Sequence, residues 1–132
     1  MRDTASLLPL IVCLFACGGP QVDRGVQLQE LRQAIERPVS SPEESGENSR
    51  VVEASLEAEV LMEMTRLEVE EAIGRGDPCS RHPRCAEQEF ESDDWFYTVG
   101  QMGEGRTGAL PILIVGFDRT GRVTRVWNLR TH

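Results

Sequence analysis

The spacing of the apolar residues changes once along this chain, and the change limits the folds that it can adopt. In the middle of the chain four of them recur at intervals of four: Val52, Leu56, Val60 and Met64. That interval is typical of an amphipathic helix. From Asp94 onward the apolar residues alternate with polar ones or form a short continuous run, which is typical of strands. The sequence therefore predicts helices followed by a sheet, an α+β order.

Two helices are predicted before the sheet. The first covers residues 50–62, where glutamates occupy much of the surface beside the apolar stripe. The second covers residues 66–73. Thr65 and Glu68 have the spacing of a capping box at its start, and Gly74 stands where the helix should end.

Three strands are predicted after the helices, over residues 94–101, 112–117 and 122–129. The middle one, ILIVGF, is nearly continuous in apolar residues and is the candidate for the central strand. The four residues Asp118–Gly121 between the last two strands suit a short hairpin loop, with Gly121 at a position that favours positive φ. The predicted fold is a three-stranded antiparallel meander with the two helices packed on it, in two layers, over residues 49–132.

An apolar run of ten residues near the start of the sequence, LLPLIVCLFA, ends at Cys17. Ten residues are too few to cross a bilayer, but they are typical of the apolar region of a signal peptide. Leu14, Ala16 and Cys17 resemble the lipobox of bacterial lipoproteins. The prediction is a signal peptide over residues 1–16 and a lipid anchor on Cys17; simple secretion and a buried thiol are the alternatives. Gly18 lacks the acidic side chain of an inner-membrane retention signal, which favours the outer membrane.

Residues 17–48 are predicted to form a flexible tether with a root-mean-square reach of roughly 30 Å. Two interpretations stay open for VQLQELRQAIERP within it: a short amphipathic helix, or a stripe too narrow to fold. The stretch PVSSPEESGENS is rich in Pro, Ser, Gly and Glu, and it is predicted to be disordered.

Charge is distributed unevenly over a chain whose net charge is −8. Residues 106–132 hold five Arg and one Asp, whereas residues 18–105 hold eight Arg and twenty acids. Nucleic acid is excluded as a partner, because its binding depends on many cations that neutralise phosphates.

The basic end of the chain is predicted to form a binding surface for an acidic protein partner or for anionic lipid headgroups. Its candidate residues are Arg119, Arg122, Arg125 and Trp127. Strand alternation places Arg125 on the face of Val123 and Trp127, which the helices should cover. Either Arg125 lies at an uncovered margin, or Val123 and Trp127 belong to the exposed face. The alternative for all the arginines is that they only offset the acidic helices.

Cys79, His82 and Cys85 form a C-x2-H-x2-C triplet. It has too few ligands for a structural zinc site, because no fourth Cys or well-placed His lies nearby. In an exported domain a close cysteine pair is read as a disulfide. We therefore predict a Cys79–Cys85 disulfide and no metal, with free thiols or a metal site as the alternatives.

Catalysis has little support in this sequence. Residues 103–108 match G-x-G-x-x-G, but a proline and a strand follow where a dinucleotide site needs a helix, and the chain has no lysine for a kinase loop or a P-loop. No Ser-His-Asp set can be assembled. The prediction is a protein without enzymatic activity or cofactor.

The order of leader, tether, two helices and meander resembles the SmpA/OmlA (BamE-like) family of outer-membrane lipoproteins. The stretches that carry the resemblance are MTRLEVEEAIGRGDP, DDWFYTV and ILIVGFDRTGRVTRV. Glu63, in place of a glycine, and the insertion at Cys79–Cys85 depart from the family pattern.

The resemblance implies a non-catalytic, membrane-anchored lipoprotein that faces the periplasm. It would be accessory to outer-membrane protein assembly or envelope integrity, with an envelope protein complex as partner. Two alternatives stay open: a module that binds or inhibits an exported hydrolase, and a metal or redox protein that uses Cys79, His82 and Cys85.

Overall fold

Helices precede the main sheet in the computed structural model, which describes residues 23–102 and 109–129. The elements in chain order are α1 (Arg24–Glu36), β1 (Pro38–Val39), α2 (Pro42–Glu57), α3 (Arg66–Ile73), β2 (Asp77–Pro78), a 3-10 turn (Cys79–Arg81), α4 (Pro83–Glu87), β3 (Trp95–Thr98), β4 (Gln101–Met102), β5 (Ile112–Phe117) and β6 (Val123–Leu129). The predicted α+β class is confirmed. The predicted leader with Cys17 and the glycine-rich stretch 103–108 lie outside the described residues.

The main sheet contains the predicted antiparallel meander and one strand more. β3, β5 and β6 are consecutive neighbours, and the two-residue β2 pairs with β3 at the other edge, so that the order is β2-β3-β5-β6. The prediction of three strands is therefore wrong by one short edge strand. β1 and β4 form a separate parallel pair.

The helix α3 begins and ends where the sequence predicts. The Thr65 hydroxyl oxygen accepts a hydrogen bond from the Glu68 N–H at 3.2 Å, and a Glu68 carboxylate oxygen accepts one from the Thr65 N–H at 2.9 Å. Two amides that the first turn leaves unpaired are thereby satisfied. The helix ends at Gly74, whose φ of +89° is incompatible with a right-handed helix.

Two helices occupy the region predicted to be a tether. Asp23 caps the start of α1, where its side chain accepts a hydrogen bond from the Val26 N–H, and the helix buries Leu31 and Ala34 completely. Ser41 caps the start of α2, and a proline occupies the first position of the helix, a favoured N-terminal arrangement. The helical interpretation of VQLQELRQAIERP is therefore correct, the prediction of disorder for PVSSPEESGENS is wrong, and the predicted domain boundary at residue 49 lies inside α2.

The helix predicted over residues 50–62 ends earlier than its apolar stripe suggests. α2 stops at Glu57, and Glu59 has a φ of +54°, which breaks the helical path. Val60 and Leu61 are still buried, but they lie in turns between α2 and α3. The apolar residues that recur at intervals of four therefore lie partly in α2 and partly in the turns that follow it.

Each face of the sheet carries its own apolar cluster. The first cluster lies between the helices and the sheet; its strand members are Trp95, Tyr97, Leu113, Val115 and Val123. The second cluster, which contains Cys79, Cys85, Phe90, Phe96 and Ile114, lies on the far face of the sheet. The alternation of side chains along β3 and β5 separates the two sets. The fold has a third layer, the segment 79–94, where two layers are predicted.

Candidate binding surface

A β-bulge in β6 decides which side of the sheet each predicted binding residue faces. Val123 pairs with Phe117, whereas Arg125 pairs with Gly116, so that Thr124 is one residue extra. An extra residue exchanges the faces of all side chains that follow it. Val123 therefore points to the helices, where it is fully buried, while Arg125 and Trp127 share the far face.

Strand alternation predicted that Arg125 shares a face with Val123 and Trp127, and the bulge corrects both interpretations of that arrangement. Val123 belongs to the covered face, and Trp127 does not share that face with it. Trp127 is half-buried against the second cluster. The predicted placement of Arg125 beside Val123 is wrong because a regular strand was assumed.

Arg125 is exposed, but its guanidinium group is held in place. It lies 3.8 Å from the centroid of the Phe90 ring and donates a hydrogen bond to the Gln88 carbonyl oxygen. A cation over an aromatic face is attracted by the ring quadrupole. Phe90 is the apolar residue in the acidic stretch EQEFESDD, and that isolation is the sequence signal that could have identified it.

Arg122 lies where β6 meets the segment before α3. It donates to the Glu63 carbonyl oxygen at 2.9 Å. The pKa of Glu68 is lowered, first by its hydrogen bond from the Thr65 N–H and also by the nearby charges of Arg122 and Arg24. Arg24 and Arg122 line one open groove of about 550 Å³. The start of α1 and the start of β6 are therefore at the same end of the molecule.

Arg119 is exposed in the turn between β5 and β6. Asp118 organises this turn: its carboxylate accepts from the hydroxyl and the N–H of Thr120 and from the N–H of Arg122. These bonds, the Thr120 hydroxyl first, hold the pKa of Asp118 below its usual range. Gly121 has a φ of +82°, as the sequence predicts for this position.

A further arginine at the hairpin was not predicted. The guanidinium of Arg66 lies 4.1 Å from the centroid of the Phe117 ring and donates to the Asp93 carbonyl oxygen. Its backbone N–H donates to the Gly121 carbonyl oxygen at 3.1 Å. The start of α3 is thus fastened to the hairpin turn, a contact between distant segments that leaves no local sequence signal.

The segment 79–94 covers the far face of the sheet beside the hairpin. Cys79 and Cys85 form the predicted disulfide, with a Cα–Cα distance of 5.6 Å. His82, between them, stacks on Phe96 with 3.8 Å between ring centroids, and its Nε2 lies 3.3 Å from a carboxylate oxygen of Asp77. Because the two sulfur atoms are bonded to each other, neither is a thiolate ligand in this state.

Asp94 connects this segment to the sheet. Its side chain is buried and accepts from the N–H groups of Phe117 at 3.0 Å and Glu91 at 2.8 Å. The Cys79 N–H donates to the Asp94 carbonyl oxygen at 2.8 Å. One residue thus connects the disulfide-closed loop to β5.

Within residues 23–102 and 109–129, no three His, Cys, Asp or Glu side chains are grouped so that they could hold a metal ion. The same parts of the chain contain no helix that has both the length and the apolar character needed to cross a membrane.

No family model, curated protein or solved structure matches this sequence. The arginine-bearing hairpin and the disulfide-closed loop are the features from which a function can be inferred.

Proposed function

We propose that this chain is a non-catalytic, membrane-anchored protein-binding module of the cell envelope. Its partner is an envelope protein with an acidic surface. The resemblance to the SmpA/OmlA family extends the proposal to an accessory role in outer-membrane protein assembly or envelope integrity, with Cys17 as the lipid anchor.

The compartment is supported by the disulfide. Disulfides persist in oxidising compartments such as the bacterial periplasm and are rare in the cytosol. Cys79 and Cys85 are both buried, and their loop completes the third layer of the fold. A protein that depends on this bond for part of its packing belongs in an exported location.

The binding surface is supported by the arginines of the hairpin, the single observation that carries the proposal. Arg119, Arg122 and Arg125 are exposed in an acidic protein, and no carboxylate of the described residues lies within 4.0 Å of their guanidinium groups. Two of the three are held by backbone carbonyls. A cation that is already positioned loses less side-chain entropy when it meets a partner's carboxylate.

Charge reversal at the hairpin tests the proposal. The tagged full-length chain is recovered from membranes of the native host in mild detergent, and the proteins that accompany it are compared with those of the double variant Arg122→Glu, Arg125→Glu. We expect the variant to lose its partner, and we expect the unchanged chain to release the partner as salt is raised.

The matched control is Arg50→Glu with Arg81→Glu, two exposed arginines outside the hairpin that give the same change in net charge. Circular dichroism establishes that both variants are folded. Equal recovery of the partner by the hairpin variant and the control, with the same salt dependence, would place the binding surface elsewhere.

A further inference from the structure

The outer edge of β6 is open along most of its length. At its start, the Glu63 N–H donates to the Val123 carbonyl oxygen and the Val123 N–H donates to the Met64 carbonyl oxygen, at 2.9 and 2.8 Å. From Thr124 to Leu129 no strand pairs with this edge among the described residues. Six residues of extended chain span about 20 Å, which is enough for a guest strand of ordinary length.

The register shows which backbone groups this edge presents. The N–H and the carbonyl oxygen of Val123 both point away from β5. Val123 and Phe117 are therefore a pair of facing residues that exchange no backbone hydrogen bonds. Pairs of the two types alternate along an antiparallel ladder. The pairs Val115–Val126 and Leu113–Asn128 are therefore of the same type. Val126 and Asn128 each direct an N–H and a carbonyl oxygen to the open edge.

The side chains beside this edge differ between the two faces of the sheet. On the far face lies the positioned cation of Arg125, and Arg122 stands at the start of the strand. On the helix face, Val126 packs against the first cluster. A guest strand would therefore place acidic side chains next to Arg125 and uncharged ones next to Val126, in alternation.

We infer that the β6 edge binds, by strand addition, an extended segment of a partner protein that alternates acidic and apolar residues. This inference rests on the proposed binding function and names the class of segment bound. Strand addition of this kind obtains affinity from main-chain hydrogen bonds and specificity from alternate side chains. The same arginines disfavour a second copy of this strand as the guest, because antiparallel self-pairing about Arg125 brings like charges together.

The test uses the full-length chain in detergent and a decapeptide of alternating Val and Glu. Nuclear magnetic resonance titration should shift the amide signals of Val126 and Asn128 most. Arg125→Glu should weaken binding by about tenfold. Asn128→Pro should weaken it at least as much, because proline removes an N–H that bonds the guest. Asn128→Ala, which keeps that N–H, is the matched control and should bind like the unchanged chain.

Variation of the peptide keeps the test decisive even where Asn128→Pro unfolds the chain. The decapeptide is also made with N-methyl groups on its valines alone or on its glutamates alone, which blocks one edge of the strand at a time without changing its charge. We expect one of the two to lose binding. A decapeptide of alternating Val and Arg should not bind.

Three results would overturn the inference. The first is that both N-methylated peptides bind as tightly as the parent peptide, and the second is that the shifted amides lie away from β6. The third is that the chain alone forms a dimer in sedimentation experiments, with the amides of Val126 and Asn128 already protected from exchange. If charge reversal abolishes peptide binding while N-methylation has no effect, the arginine surface of the proposed function stands and strand addition falls.

Discussion

Asn48 connects three segments of the chain through one buried amide. Its Nδ2 donates to the Ala34 and Val99 carbonyl oxygens at 3.1 and 3.4 Å, and its Oδ1 accepts from Arg37 at 3.0 Å. Gly100, with a φ of +115°, leaves room for this amide, since a Cβ there would lie 3.1 Å from Nδ2. The contact joins α1, α2 and the end of β3.

Replacement of Asn48 by Ala should lower the free energy of unfolding by about 2 kcal/mol, because buried carbonyl groups lose their donor. Guanidinium unfolding of the full-length chain measures the change. Gln33→Ala, at an exposed position in α1, is the control and should change stability little. The same stability in both variants would mean that the Asn48 amide contributes little to the fold.

At the scale of elements, local signals were sufficient for α3 and for β3, β5 and β6. The capping box at Thr65 and the apolar run of β5 are short-range patterns, and each appears in the structure where predicted. The side-chain faces of β6 were not predictable, because Thr124 bulges and nothing in its composition marks it. For the candidate site, the arginines could therefore be identified from charge, whereas their faces could not.

The first half of α2, before residue 50, was missed because the buried face of this helix consists mainly of small polar residues. These are Ser45, Asn48, Ser49 and Ser55, with one valine, Val52. Composition counts serines as signs of disorder, yet small side chains let α2 approach α1 closely. Leu31 and Ala34 in α1 then supply the apolar surface.

A fragment of residues 49–132 should therefore fail to fold. It lacks α1 and the first half of α2, with the fully buried Leu31, Ala34 and Asn48. We expect this fragment to show no cooperative thermal transition and only weak near-ultraviolet circular dichroism from its tryptophans. A fragment of residues 23–132 should show a cooperative transition and a strong near-ultraviolet signal. A cooperative transition in the shorter fragment would show that the first two helices are dispensable.

At the scale of the whole molecule, the lipid anchor remains a prediction from sequence. The full-length chain expressed in a bacterium that processes lipoproteins should incorporate labelled palmitate. Cys17→Ala should abolish the labelling and leave uncleaved precursor, because the lipid is attached to that sulfur. Cys13→Ala is the control and should be labelled like the unchanged chain. Equal labelling of the Cys17 variant would contradict the anchor.

The early start of α1 leaves only a short stretch of chain between Cys17, the predicted site of the lipid, and the folded domain. Only five residues separate Cys17 from the helix cap at Asp23, and even fully extended this stretch reaches about 20 Å. A lipid on Cys17 would therefore hold the beginning of α1 close to the bilayer. Since Arg24 shares a groove with Arg122, the basic hairpin lies at that same end. If Cys17 carries the predicted lipid, a partner that binds the hairpin would therefore meet this protein close to the surface of the membrane.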